Sequence, residues 1–183
     1  ESVLINGVRE QFNRTTSYID GSMVYGADQM RADTLRTMDG TGKMILDENG
    51  YLPKNIWGLQ NLPSESPHFF AAGDIRANDH IGLMAIHNLF VREHNYWAAA
   101  LKNKNSDLSG EEIYQKARAI VIAEIQNITF NEFLPILVGN YSPSVDAEYD
   151  ENLKSGIFSE FSTAAFRMGH TLVSGDFYLE SPE

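Results

Sequence analysis

Cysteine is absent from this chain of 183 residues. Disulfide bonds, thiolate nucleophiles and cysteine-ligated zinc sites are therefore all excluded. The absence does not fix the cellular compartment, because only a cysteine framework that is present would be informative. Whether the protein works in an oxidising or a reducing environment stays open at this point.

Basic residues are scarce. The sequence has 14 lysines and arginines against 25 aspartates and glutamates, which gives a formal net charge of −11. No run rich in lysine or arginine interrupts this acidic surplus. Such a chain repels nucleic acid and anionic membrane surfaces, so neither is expected as a partner.

Long hydrophobic runs are also missing. The longest candidates, residues 119–123 and 133–138, are far shorter than the roughly 18 residues that cross a bilayer. The sequence therefore predicts a soluble chain with no membrane span. Its 43% hydrophobic and 11% aromatic content is typical of a folded globular protein.

The two ends of the sequence do not resemble natural termini. The chain starts at Glu1 without a methionine or a signal peptide, which favours a processed or excised piece. Three N-x-S/T triplets, at Asn13, Asn127 and Asn140, are common enough by chance to be incidental. They give a weak indication of a secreted, extracellular protein.

Three stretches carry the three- and four-residue spacing of apolar residues that is typical of helices with one buried face. The first extends from about residue 80 to 103. The second follows a capping-box pattern at Ser109 and Glu112 and ends before Pro135. The third extends from about 156 to 173. The first fifty residues are turn-rich, and no convincing strand pattern occurs. The sequence therefore predicts a mainly α fold with long loops and little β.

Five histidines in a chain without cysteine raise the question of a metal site. The H-E-x-x-H pattern is absent. His87 and His94 lie seven residues apart on the apolar face of the first predicted helix, so they are interpreted as buried core residues. His68 follows Pro67 in a predicted loop and has no neighbour at metal-ligand spacing.

His170 stands in a different context. It follows Gly169, which costs about 1 kcal/mol relative to alanine inside a helix and lets a flat group approach the backbone. Arg167 lies one turn earlier on the same face. Such a pair can present an imidazole to iron and a guanidinium to a carboxylate, as haem with its propionates requires. The pattern alone favours a structural helix over a haem site.

Four segments change this balance because they resemble the motifs of a known family. They are TSYIDGSMVYG at 16–26, FAAGDIR at 70–76, REHN at 92–95 and AFRMGHT at 165–171. In order and spacing they resemble the animal-type, peroxidasin-like haem peroxidases of the peroxidase-cyclooxygenase superfamily. The resemblance implies a haem-peroxidase-like helical domain. Residues 1–183 would be a single segment of it, without the N-terminal distal-histidine segment and the C-terminal remainder.

The resemblance also implies roles for individual residues. His170 would be the proximal ligand of the haem iron, oriented in the family by an asparagine that would lie beyond residue 183. Arg76 would be the catalytic arginine on the distal side. Asp79 takes the place of a glutamate that forms an ester with the haem, but its side chain is one methylene shorter. Either an ester or a simple acid at a helix N-terminus fits Asp79. His80 replaces a methionine that is bonded to haem in one relative, so that linkage cannot form.

Residues 16–22 offer oxygen atoms at every second position: Thr16, Tyr18, Asp20 and Ser22. In an extended segment alternate residues face the same side, and hard oxygen ligands suit Ca²⁺. Taken alone, the segment is interpreted as a turn. Within the resemblance it corresponds to the structural calcium site of the family, which takes a further aspartate from the region of the distal histidine.

The function implied by the resemblance is a peroxidase that contains haem b or a covalently modified haem and a calcium ion. It would use hydrogen peroxide to oxidise a small anionic or phenolic donor, such as halide, thiocyanate or a phenol. Two alternatives remain: a catalytically inactive scaffold or matrix-binding protein derived from a peroxidase, and a fatty-acid oxygenase of the same superfamily. The oxygenase is disfavoured because it requires a tyrosine where this chain has Arg167. The distal histidine is not in the sequence, so this chain alone is expected to show weak or no peroxidase activity, and its partners would include the remaining segments of the enzyme.

Overall fold

The structure is a computed structural model that describes residues 2–11, 13, 15–139, 150–152, 154–176 and 178. The chain divides into two compact units. The first consists of Glu1–Tyr18 together with Tyr149–Glu183, and the second is Ile19–Glu148. Asn140 lies outside the described residues.

The second unit is helical. Two short helices, α1 (Ser22–Tyr25) and α2 (Gln29–Thr34), precede a long irregular segment. The long helices α3 (Ile81–Lys104) and α4 (Gly110–Ile128) follow and pack against each other. A π-helical turn (Thr129–Phe133) then leads into α5 (Leu134–Val138). The mainly α fold predicted from the sequence is confirmed.

Helix α3 begins and ends close to the predicted positions 80 and 103. His80 caps its first turn, because Nδ1 of His80 accepts a hydrogen bond of 2.9 Å from the backbone N–H of Gly82. At the other end the backbone N–H of Asn105 donates to Leu101. Such capping satisfies backbone groups that have no partner within the helix.

Helix α4 begins with the predicted capping box. The Ser109 side chain accepts a hydrogen bond from the backbone N–H of Glu112, and the Glu112 carboxylate accepts from the backbone N–H of Ser109. The helix also ends before Pro135, as predicted, and Pro135 falls in the first turn of α5, where its missing N–H is tolerated.

The helical run Gly110–Val138 departs from the expectation that no segment could cross a membrane. By length and composition it qualifies, with an 18-residue window of mean hydropathy 1.2 that is 11% buried. The prediction from sequence considered uninterrupted apolar runs only. One helix of this kind is weak support for a span, and the first half of this run contributes Ile113, Ala117 and Val121 to a protein core.

The core of the second unit lies between α3, α4 and the irregular segment before α3. Its buried apolar residues include Val24, Tyr25, Leu52, Val91, Tyr114 and Val121. A smaller cluster of Ala98, Ile113 and Ala117 closes the far end of the α3/α4 pair. Small residues at Ala98 and Ala117 let the two helices approach closely.

Asparagine side chains of α3 hold the irregular segment in place. The side chain of Asn95 accepts a hydrogen bond from the N–H of Met44 and donates one to the carbonyl of the same residue. It thus pairs with both backbone groups of Met44, as a residue on a neighbouring β-strand does. About two turns earlier on the same helix, Asn88 accepts from the N–H of Leu52. These bonds satisfy backbone groups that have no ladder partner.

The first unit contains a β-hairpin that the sequence analysis did not predict. Strands β1 (Ser2–Ile5) and β2 (Val8–Gln11) pair antiparallel around Asn6 and Gly7, which both have positive φ. Asn-Gly is the preferred pair for such a two-residue turn. The strands are four residues each and fully exposed, so no alternation of buried and exposed residues marks them.

The prediction of one continuous helix over residues 156–173 is wrong. The structure has a short helix α6 (Ser159–Thr163), a break at Ala164 with φ −122° and ψ −70°, and a 3₁₀ helix (Ala165–Leu172). The side chains predicted to form its buried face are exposed: Phe158, Phe161, Ala165, Met168 and Leu172. An apolar stripe stabilises an α-helix only when it packs against something, and these residues have no such cover within the first unit.

Candidate functional site

Arg76 follows the buried segment of residues 71–73 and pairs with Asp74. Its Nε lies 3.0 Å from Oδ1 of Asp74 and its Nη2 lies 2.7 Å from Oδ2, a bidentate ion pair. The hydrogen bonds from Arg76 outweigh the effect of burial on Asp74 and hold the pKa of that carboxyl below its usual value. The same contact raises the pKa of Arg76. Both groups are therefore charged over the whole working pH range.

The backbone before Arg76 is locked against α1. The N–H of Asp74 donates to the carbonyl of Met23 over 3.0 Å. A Cβ at Gly73 would lie 2.5 Å from that same carbonyl oxygen and from the carbonyl carbon of Val24, so only glycine fits there. The second unit thus brings two of the four sequence motifs, 16–26 and 70–76, into direct contact.

Buried Arg31 supports the same segment from α2. Its guanidinium donates to the carbonyls of Ala72, at 2.6 Å, and Gln60. Burial lowers the pKa of Arg31, and the two carbonyls satisfy its donors. The sequence analysis did not identify Arg31, because its partners lie 41 and 29 positions away along the chain and no sequence pattern relates residues that far apart.

The third motif, residues 92–95, has a structural role that the sequence analysis did not assign. His94 is fully buried, with Nδ1 3.0 Å from the Tyr25 hydroxyl and Nε2 2.9 Å from the carbonyl of Gly42. Desolvation lowers the pKa of His94 to about 4 and raises that of Tyr25. The interpretation of His94 as a core histidine is confirmed, and three motifs meet in the second unit.

His87 is buried, as expected for a core residue, but only part of its hydrogen-bonding capacity is used. Its Nδ1 lies 2.7 Å from the carbonyl of Leu83, so Nδ1 carries a proton and donates to that carbonyl. Within the described residues Nε2 has no hydrogen-bond partner. His87 also interacts electrostatically with Asp74.

Asp79 is exposed and lies just outside α3. The N-cap position belongs to His80, so Asp79 precedes the cap and is not part of the first helical turn. Its backbone N–H donates to the carbonyl of Arg76 over 2.9 Å, which keeps the two residues on one tight turn. Asp79 therefore lies at the N-terminus of α3, directly before the cap, and both the ester and the acid at a helix N-terminus stay predictions.

The four residues of the expected calcium loop fall in both units. In the first unit Oγ1 of Thr16 accepts a hydrogen bond of 3.1 Å from the N–H of Tyr18. In the second unit Oδ1 of Asp20 accepts one of 2.9 Å from the N–H of Ser22. The segment is not extended to its end as predicted, because Gly21 has φ 69° and Ser22 begins α1. The donor set still consists of the hard oxygen atoms that calcium prefers.

His170 lies on the 3₁₀ helix of the first unit with its side chain exposed. Among the described residues none hydrogen bonds to its ring. A Cβ at Gly169 would meet nothing within 4 Å, and exposed Phe166 and Met168 flank the histidine. Arg167 stays on the same side as His170, because residues three apart eclipse in a 3₁₀ helix. An accessible imidazole next to open space is compatible with an axial haem ligand.

The described residues contain no cluster of three histidine, aspartate or glutamate side chains that could hold a metal ion by itself. Arg76 and Asp79 are brought together in the second unit, and His170 and Arg167 in the first. Haem iron needs only one imidazole from the protein on its proximal side. The isolated position of His170 therefore fits a haem ligand better than a ligand of a metal ion bound by side chains alone.

Comparison with known proteins decides the family. The family model of the animal haem peroxidases matches residues 3–183. The chain belongs to the animal haem peroxidase family. Among curated members of this family, peroxidasin of Drosophila melanogaster is 38% identical over 91% of the chain, and peroxidase mlt-7 of Caenorhabditis elegans is 40% identical over 93%.

A solved haem peroxidase structure agrees with the fold. Peroxidase A from Dictyostelium discoideum superimposes with a TM-score of 0.79 at 34% identity over 88% of the chain, which covers 32% of that protein. The chain spans 12% of the length of Drosophila peroxidasin and 24% of that of mlt-7. It therefore represents a partial segment of a haem peroxidase catalytic domain.

Proposed function

We propose that the protein carrying this chain is a haem-dependent peroxidase that uses hydrogen peroxide to oxidise halide, thiocyanate or phenolic donors. The observation that carries the proposal is the setting of His170. Its imidazole is accessible, it lies beside open space at Gly169, and exposed apolar residues, Phe166 and Met168, lie near it in the sequence of the same 3₁₀ helix. Membership of the haem peroxidase family supports the same conclusion.

His170 and Arg167 would hold the cofactor, haem b or a covalently modified haem. The Nε2 of His170 would bind the iron, which supplies the redox chemistry when haem is present. Arg167, on the same side of the 3₁₀ helix, would pair with a propionate carboxylate through its planar guanidinium. Asp79 would be the residue for an ester linkage, since it is exposed and leaves its carboxylate accessible.

Arg76 would act on peroxide. A fixed positive donor stabilises the negative charge that develops on the oxygen atoms as the O–O bond breaks. The side chain of Arg76 is 56% exposed although its backbone is held by the locked segment before it. A charged group on a rigid backbone with an accessible end suits this role.

Thr16, Tyr18, Asp20 and Ser22 would form a structural calcium site. The Asp20 carboxylate supplies the negative charge, while hydroxyl and carbonyl oxygens complete the ligand set. Further ligands would come from the remaining segments of the enzyme.

The protein would be secreted and would act in an extracellular setting. The triplets at Asn13 and Asn127 are exposed, as glycosylation requires. One relative, 36% identical over 93% of the chain, is named chorion peroxidase in Drosophila. A shift in mass after glycosidase treatment of the natural protein would test this location.

A fatty-acid oxygenase is the second candidate, because fatty acid α-dioxygenase from Oryza sativa superimposes with a TM-score of 0.61 at 29% identity. That similarity covers 78% of this chain, less than the match to peroxidase A. Arg167 also occupies the position at which the oxygenase reaction needs a tyrosine, so the peroxidase is favoured.

Peroxide turnover by the complete, haem-loaded protein tests the proposal. Arg76→Gln should lower kcat/KM for hydrogen peroxide by about 10²- to 10³-fold, the loss typical of a donor that stabilises developing charge. Arg92→Gln is the matched control, since Arg92 is an exposed arginine on α3. Equal activity of the two variants would contradict the role of Arg76, and no turnover by the natural protein would favour the inactive scaffold.

A further inference from the structure

The carboxylate of Asp74 engages one edge of the Arg76 guanidinium and leaves the others accessible. Nε and Nη2 both donate to Asp74, and Oδ1 of Asp74 also accepts from the backbone N–H of Arg76 at 2.8 Å. A guanidinium has five N–H donors in a fixed plane. Two of them are used here, so three remain for a ligand.

Asp74 itself cannot move easily. Its N–H is bonded to Met23, its neighbour Gly73 touches the backbone of Val24, and its side chain is only 19% exposed. Arg31 fixes Ala72, two residues earlier. The carboxylate is therefore part of the rigid second unit, while the end of Arg76 reaches solvent.

We propose that Asp74 is the positioning residue for Arg76: it orients the guanidinium so that its Nη1 edge points to the peroxide site. This inference rests on the proposed function, because it assigns Arg76 the role described there. A long arginine side chain loses conformational entropy when it is ordered. Asp74 orders the side chain before any ligand binds, so this entropy is not lost during the reaction.

The rival interpretation is an ordinary surface ion pair without influence on orientation. Exposed pairs of that kind hold neither partner in one geometry and add little to stability. The bidentate contact and the half-buried position of Asp74 argue against it. The contact between Asp33 and Arg36 is looser, with 3.9 Å between Oδ1 and Nη1 and a carboxylate that is 44% exposed. Asp33 is therefore a suitable control carboxylate that does not touch Arg76.

The order of the Arg76 side chain can be measured without haem, by ¹⁵N NMR of its Nε–H group in the full chain. Arg76 should show a higher Nε order parameter than Arg92, whose exposed side chain makes no hydrogen bond with the described residues. Asp74→Asn should accelerate Nε–H exchange of Arg76 at least tenfold, Asp74→Glu should restore part of the protection, and Asp33→Asn should have no effect. Equal order at Arg76 and Arg92 in the natural chain would overturn the proposal, even if Asp74→Asn fails to fold.

A second measurement connects this order to the reaction. In the complete haem-loaded protein, Asp74→Asn should slow the reaction with hydrogen peroxide by about 10- to 100-fold, the effect of a misplaced catalytic group, and leave the haem spectrum unchanged. Asp33→Asn should react at the natural rate. An unchanged rate in Asp74→Asn would overturn the inference. If haem does not bind at all, the proposed function fails. The NMR experiment would still decide whether Asp74 orders the Arg76 side chain, because it does not depend on haem.

Discussion

The hydroxyl of Tyr25 lies 3.0 Å from Nδ1 of His94, and both side chains are buried in the core of the second unit. Nε2 of the same histidine lies 2.9 Å from the carbonyl of Gly42. A neutral imidazole satisfies both contacts if Nε2 carries the proton and Nδ1 accepts from the tyrosine. His94 therefore joins α1, α3 and the irregular segment through one uncharged ring.

The first prediction concerns the pH dependence of stability. Desolvation lowers the pKa of His94 to about 4, against 6.5 as its ordinary value. Between these values the unfolded chain binds a proton that the folded chain does not, so the free energy of unfolding falls as pH drops from about 6.5 to 4. The total loss from His94 is about 3 kcal/mol. Urea unfolding at several pH values measures it.

His94→Gln provides the comparison. This variant is less stable at neutral pH, because the core contacts are disturbed, but its stability should change less between pH 6.5 and 4. His68→Gln is the matched control, since His68 is exposed, and it should keep the natural pH dependence. Parallel pH curves for the natural chain and His94→Gln would show that His94 is not the responsible group.

The second prediction concerns the contact between two motifs. Gly73→Ala should destabilise the chain by roughly 1 to 3 kcal/mol, because the new Cβ would lie 2.5 Å from the carbonyl oxygen of Met23. Gly156→Ala, where a Cβ meets nothing within 4 Å, should be neutral. The midpoint of thermal unfolding decides between them, and a Gly73→Ala chain as stable as the control would contradict the close approach.

Part of this fold could be predicted from the sequence because its signals are local. The periodic apolar residues of α3 and α4 and the capping box at Ser109 and Glu112 depend only on neighbours along the chain. The 3₁₀ helix near His170 could not be predicted in the same way. Its apolar stripe has helical spacing, but spacing does not reveal whether a packing partner exists.

The candidate site likewise has features with a local sequence signal and features without one. The family motifs locate Arg76 and His170 in the sequence, yet nothing in their spacing reveals that Asp74 binds the Arg76 guanidinium. The backbone N–H groups of Leu52 and Met44 donate to the side-chain oxygens of Asn88 and Asn95, which lie 36 and 51 positions away. Long-range contacts of this kind follow no sequence period. The Asn6-Gly7 hairpin, by contrast, carried a local signal that could have been used.

The third prediction concerns the start of α4. Ser109→Ala removes the side-chain acceptor for the N–H of Glu112 and should cost about 1 kcal/mol. Ser106→Ala, in the exposed loop just before, should change stability by less than about half of that. Denaturant midpoints give both values. A larger loss at Ser106 than at Ser109 would be inconsistent with the capping box.

The fourth prediction concerns calcium. Asp20→Asn should weaken Ca²⁺ binding to the complete protein by at least tenfold and remove the rise in unfolding temperature that added calcium produces. Asp107→Asn removes a charge from an exposed loop and serves as the control. Isothermal titration measures the affinity. Unaltered binding by Asp20→Asn would place the ion elsewhere.

The most direct test of the central claim is a haem titration of this chain, followed by its Soret band, for the natural sequence, His170→Ala and His68→Ala. The natural chain and His68→Ala should give the same spectrum of histidine-ligated haem, and His170→Ala should lose it. Equal spectra for His170→Ala and the natural chain would contradict the assignment of His170 as the iron ligand.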